Sequence, residues 1–154
     1  MISYILYVCI VLFLTYLVYF LSGKYRLAKK FYISWEQFHQ NFLSEVAYTR
    51  RPLQEVIQKF EGKGDFSEFL SDYEKKHAVE ENIDFLSKEE NDFLQEYFSF
   101  LGRSDYLAQR EYFSSSTKKL ADFKQKSEQD AARYTDLYIK LGFLLGLIIV
   151  ILLV

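Results

Sequence analysis

ISYILYVCIVLFLTYLVYFL, residues Ile2 to Leu21, is a run of 20 residues without a charge. At 1.5 Å per residue a helix of this length measures about 30 Å, one hydrocarbon thickness of a bilayer. The segment therefore reads as a transmembrane helix. No basic residue precedes it, and Phe20-Leu21-Ser22-Gly23 offers no small-x-small processing site, so it is expected to be retained rather than removed as a signal peptide.

Charge divides the rest of the chain. All 19 Lys and Arg and all 21 Asp and Glu follow Gly23, so the formal net charge of −2 averages over uncharged ends and a highly charged middle. At the far end, Leu141 to Val154 is an uncharged apolar tail. Its helix would be about 21 Å long, which also suits a buried or interfacial segment. If Lys140 snorkels to the headgroups and Tyr134 and Tyr138 sit at the interface, the embedded length reaches about 30 Å. A second span over residues 135–154 is the expectation.

Lys24, Arg26, Lys29 and Lys30 follow the first span, and Lys124, Lys126, Arg133 and Lys140 lead into the second. By the positive-inside rule both termini face outward and the middle domain, residues 24–134, is cytoplasmic. Cys9, the only cysteine, lies in the first span, so the middle domain has neither a disulfide framework nor a thiolate metal site.

The middle domain reads as an all-α, antiparallel helical bundle flanked by the two membrane helices. Leu27, Phe31, Trp35, Phe38, Phe42 and Val46 recur at steps of three and four, which predicts a long amphipathic helix over 24–49. Pro52 suits the first turn of a next helix, with Leu53, Val56, Ile57 and Phe60 on one face before Gly62-Lys63-Gly64. Two capping boxes are expected, Asp65 with Glu68 and Ser87 with Glu90. They open helices carrying Phe66, Phe69, Leu70 and Tyr73, then Phe93, Leu94, Tyr97, Phe98 and Leu101, the latter closed by Gly102. From residue 105 a helix is expected to run to about 140 and into the bilayer, with Tyr106, Phe113 and Leu120 at coiled-coil-like heptad spacing. A break at Ser114-Ser115-Ser116 is the alternative. With 13 Tyr and 15 Phe, such a bundle can bury a core without a cofactor.

Catalytic chemistry finds little support. His39 and His77 sit in no metal-ligand spacing and read as surface or helix-flank residues, and no phosphate-binding loop or nucleophile elbow occurs. No catalytic, cofactor-binding or metal residue is therefore assigned. The acidic run from Glu74 to Glu90 is interrupted by Lys75, Lys76 and Lys88 and reads as a solvated helical face. Acidic and basic residues alternate throughout, against a nucleic-acid footprint. Gly142 and Gly146 form G-x-x-x-G in the last span, a candidate helix-packing surface. Its partner could be another molecule, a second copy or the first span of the same chain, or the glycines could be merely tolerated.

The order of these features resembles the stage III sporulation protein AB family. The likeness rests on the amino-terminal span and its basic flank, on Glu45, and on Arg51-Pro52-Leu53-Gln54-Glu55, which is similar to a Pro-Leu motif. It rests also on Leu101-Gly102-Arg103-Ser104-Asp105 with Gln109, resembling L-G-x-S-D-x-x-x-Q, and on the closing L-G-x-x-x-G tail. Glu45, Pro52, Leu53, Gly102, Asp105 and Gln109 are the positions that carry these motifs.

What the resemblance implies is a non-enzymatic platform component of the secretion-like complex joining mother cell and forespore, required for endospore formation. It would sit in the mother-cell membrane around the forespore. The family's cytosolic domain is similar to the helical bundle of type II secretion platform proteins, and the implied partners are an ATPase like stage III sporulation protein AA and other membrane proteins. A platform of another secretion or pilus system, or a two-span membrane-anchored sensor, has the same outline. A membrane-anchored enzyme would need a convergent polar site, which the sequence does not display.

Overall fold

The computed structural model describes residues 2–48, 53–60, 64–79, 82–101 and 106–153. Six helices follow in order among them: α1 (Ile2–Leu21), α2 (Gly23–Tyr48), α3 (Leu53–Lys59), α4 (Asp65–Lys76), α5 (Lys88–Phe100) and α6 (Tyr106–Leu153). The described residues contain no strand. The fold is thus all-α, with a long apolar helical segment at each end. The chain divides into two compact units: Met1–Arg26 with Ser127–Val154, and Leu27–Lys126.

The first unit contains the uncharged helix α1 and the apolar end of α6. The chain turns between α1 and α2 at Ser22, whose hydroxyl donates to the Tyr19 carbonyl at 2.7 Å while its N–H reaches the same carbonyl at 3.2 Å. That satisfies an orphan carbonyl at the end of α1. Among the described residues two helices are long and apolar enough to cross a membrane, and little of either apolar stretch is buried within the protein. Phe13, Tyr16 and Phe20 of α1 and Phe143, Ile151 and Leu152 of α6 point outward. Exposed apolar surface on this scale is unfavourable in water and is covered by lipid tails at no such cost.

The second unit is built around α2. Trp35 is fully buried and its indole lies 5.4 Å from Phe93, 5.2 Å from Tyr97 and 6.4 Å from Phe66, ring centre to ring centre. Phe31 packs edge-on to Phe66 of α4, Phe38 meets Phe60 beyond α3, and Phe42 meets Phe113 of α6. One helix face therefore touches α4, α5, α6 and the residue that follows α3, and offset or edge-on rings add to the gain from burial alone. The Lys124 ammonium, 2.6 Å from the Glu36 carboxylate, links α6 to α2 at the rim of this core. Tyr32, which the periodicity left off the apolar face, is buried, whereas Leu27 at the start of that face is 41% exposed.

Local chemistry explains most boundaries. Ser87 caps α5 in the expected box: its hydroxyl accepts from Glu90 N–H and the Glu90 carboxylate accepts from Ser87 N–H. The other expected box is not made. Asp65 is the first residue of α4 rather than its cap, and Gly64, at φ 94°, occupies the cap with no side-chain hydrogen bond. The positive φ selects glycine there, so Asp65 and Glu68 instead place negative charge in the first turn, where the helix dipole favours it. At the other end of α4, His77 adopts the left-handed cap conformation, φ 53°.

The acidic run is likewise not one helix. After His77 the described chain turns, and Asn91 from α5 organises that turn. Asn91 accepts from Ile83 N–H at 2.8 Å and lies within donating distance of the carbonyls of Ile83 and Leu86 at 3.1 and 3.2 Å. Asn91 is buried with its amide satisfied in this way, which ties the turn to α5. No break occurs at Ser114-Ser115-Ser116; α6 is continuous, with the Ser115 and Ser116 hydroxyls donating back to the Tyr112 carbonyl. The expected closure of α5 by Gly102 and the start of α3 at Pro52 lie outside the described residues.

Candidate functional site

Within the first unit, Gly142 and Gly146 of α6 face α1. A Cβ at Gly142 would stand 3.0 Å from Thr15 Cα and 3.3 Å from the Leu14 carbonyl oxygen, and one at Gly146 would stand 2.9 Å from Val11 Cα. Those are distances to backbone, which cannot rotate away. The two helices approach closely because both positions lack a side chain, and close approach supplies the dispersion contacts that hold helices together in lipid. The glycine surface is thus engaged by α1 of the same chain. Thr15 turns its hydroxyl onto the Val11 carbonyl at 2.8 Å, which keeps that polar group paired inside its own helix.

Aromatic and basic groups gather at the charged end of the same unit. Tyr25 stacks on Tyr134 with ring centres 4.4 Å apart, and Tyr138 lies beyond at 6.5 Å. The Arg26 guanidinium sits 4.0 Å over the Tyr19 ring and hydrogen-bonds the Tyr19 hydroxyl. Lys140 pairs with Asp136 at 2.7 Å, both exposed. Tyr and Arg combine an apolar body with a polar tip, which suits a headgroup region.

A second polar arrangement lies in the core of the other unit, and corrects the placement of His39 at the surface. His39 is 1% exposed, with Nδ1 2.8 Å from the Tyr97 hydroxyl and Nε2 2.9 Å from the Thr117 hydroxyl. Thr117 spends its proton on the Phe113 carbonyl at 3.2 Å. It must therefore accept from His39 Nε2–H, which leaves Nδ1 to accept the Tyr97 proton. Each group is satisfied only while the imidazole is neutral. Burial lowers the His39 pKa to about 4, against a smaller opposing pull from Glu36, and burial raises that of Tyr97. Tyr32 is raised too, by burial first and then by the Glu90 carboxylate.

This arrangement presents no free imidazole nitrogen to serve as a base. Both His39 nitrogens are engaged, and its partners are a protonated phenol and a hydroxyl committed to backbone. It is a satisfied core histidine that α2 phase could have revealed, since position 39 follows Trp35 by four residues. Among the described residues no three of His, Cys, Asp or Glu converge on a metal position.

The family-motif residues are not seen to meet. Glu45 near the end of α2 and Gln109 in the first turns of α6 are half-buried, and neither is without a contact. Leu53 begins α3, but its side chain, with Pro52, Gly102 and Asp105, lies outside what is described.

No curated protein and no solved structure matches the chain. Residues 3–154 match the family described as Stage III sporulation protein AB (spore_III_AB). With the match extending over nearly the whole chain, from the glycine-packed helix pair through the aromatic-cored unit, the protein belongs to the stage III sporulation protein AB family.

Proposed function

We propose that this sporulation-family chain is a two-span, non-enzymatic platform in the mother-cell membrane around the forespore. Its central unit lies in the cytoplasm and couples a secretion-type ATPase, resembling stage III sporulation protein AA, to the membrane proteins of a channel complex. The observation that carries this reading is the use made of polar chemistry in the central unit. The buried groups His39, Tyr97, Asn91 and Glu90 are all engaged in packing and capping, and the unit is inserted in sequence between two apolar helices that pack on each other. Such a chain suits holding and transmitting better than turnover. Because Gly142 and Gly146 meet α1 of the same chain, partner contacts are assigned to the central unit and to the outward faces of the spans.

Two measurements test this. Affinity purification of the tagged full-length protein from sporulating cells should recover a secretion-type ATPase together with other membrane proteins; recovery of the chain alone defeats the platform reading. Cysteines introduced at exposed Ser99 or Lys118 should resist an impermeant thiol reagent in intact cells. Labelling there puts the central unit outside and favours a sensor.

A further inference from the structure

A groove of about 250 Å³ runs along α4 in the central unit, between that helix and the turn through Ile83 and Phe85. Its floor is aromatic: Phe31 of α2 meets Phe69 and Phe85 edge-on at 6.0 and 5.7 Å. Its rim is acidic. Asp65, Glu68 and Asp72 line it from one stripe of α4, at spacings of three and four residues, and all three are exposed. Lys76 lies at the end of the stripe. Asp72 is 3.7 Å from Lys75 with both side chains about 70% exposed, a pairing that solvent renders weak.

Both walls are held before anything binds. Asn91 fastens the turn through Ile83 and Leu86, and the Tyr73 hydroxyl fastens α4 to α5 by donating to the Phe98 carbonyl at 3.0 Å. A groove fixed in advance avoids the ordering cost that weakens binding.

We infer that this groove docks a basic segment of a partner protein, inserting one aromatic or branched aliphatic side chain onto the Phe31, Phe69 and Phe85 floor while flanking Lys or Arg pair with Asp65, Glu68 and Asp72. The volume accommodates one large side chain, and three carboxylates against Lys76 in the lining and the weakly paired Lys75 beside it leave net negative charge that selects cationic flanks. The inference stands on the groove's own geometry and holds whether or not the chain serves an ATPase-driven channel.

The test uses the full-length protein in phosphatidylcholine nanodiscs and a displayed library of random dodecapeptides. Enriched peptides should carry an aromatic or aliphatic residue flanked by Lys or Arg, with binding that weakens as salt rises. Fluorescence anisotropy of the most enriched peptide should show at least tenfold weaker binding to Glu68→Lys/Asp72→Lys, and to Ala78→Phe, which fills the groove from its rim. Emission of Trp35, the only tryptophan, verifies that both variants remain folded. The proposal is overturned if nothing is enriched, if enriched peptides lack the basic-apolar pattern, or if both folded variants bind as the parent does. Concentration-dependent self-association abolished by Ala78→Phe would overturn it in favour of a second copy of this chain.

Discussion

Lowering pH should destabilise the central unit through one residue. The His39 pKa is about 4 in the folded protein against 6.5 for an unperturbed imidazole. The unfolded chain therefore takes up a proton in a range where the folded chain does not. The stability this contributes is fully present above pH 6.5, declines as pH falls toward 4 and is gone below. The gap corresponds to about 3 kcal/mol in total, and to about 2 kcal/mol between pH 8 and pH 5, at 1.36 kcal/mol per unit. For a protein whose whole margin is about 5–15 kcal/mol the effect is large. Trp35, buried and 5.2 Å from the Tyr97 ring, reports the same core. Urea unfolding of the full-length protein in detergent, followed by Trp35 emission, should give a lower midpoint at pH 5 than at pH 8. His39→Gln keeps a donor and an acceptor but no titration; it should be less stable at pH 8 and lose this component of the pH dependence. Equal shifts between the two pH values in both proteins would refute the argument, because the imidazole would then not be the group responsible.

Four other outcomes are expected. Gly142→Leu/Gly146→Leu should stay inserted but force α1 from α6, since even the added Cβ atoms lie about 3 Å from backbone of Thr15 and Val11; spin labels at Cys9 and at Leu152→Cys should show a broadened or longer distance, and an unchanged distribution contradicts the packing. Alanine at Gly146 should be milder yet measurable, because its methyl still meets the Val11 Cα at 2.9 Å. Asn91→Ala should lower stability by about 2–3 kcal/mol and speed amide exchange at Ile83, whose N–H it now binds; protected exchange in the variant counts against that role. Ser87→Ala and Tyr73→Phe should each cost about 1 kcal/mol, the first by removing the α5 cap and the second by stranding the Phe98 carbonyl. Urea midpoints unchanged within error would show those bonds to be incidental.

The uncharged ends, the three- and four-residue apolar spacing of α2 and the Ser87–Glu90 pair were legible as a membrane-flanked helical bundle, because they depend on composition and on contacts within a turn or two of helix. Phase also predicted the buried faces of α4 and α5, Phe66, Leu70 and Tyr73 with Phe93, Leu94, Tyr97 and Phe98. Where two solutions were locally equivalent, the sequence could not choose. Asp65 is as good a cap residue as Ser87, but the backbone reaches α4 through a positive φ that only Gly64 adopts without strain. His39 resembles a surface residue until Tyr97 and Thr117, 58 and 78 positions away in the chain, arrive to satisfy both ring nitrogens. The acidic segment after Lys76 has helical composition, yet the buried Asn91 amide binds its carbonyls and holds it as a turn, which creates the groove beside α4. Gly142 and Gly146 left a close helix contact and mere tolerance both open; only the tertiary structure decided that α1 of the same chain packs on them, because a glycine face is equally open to any helix and which helix fills it depends on what the fold brings near.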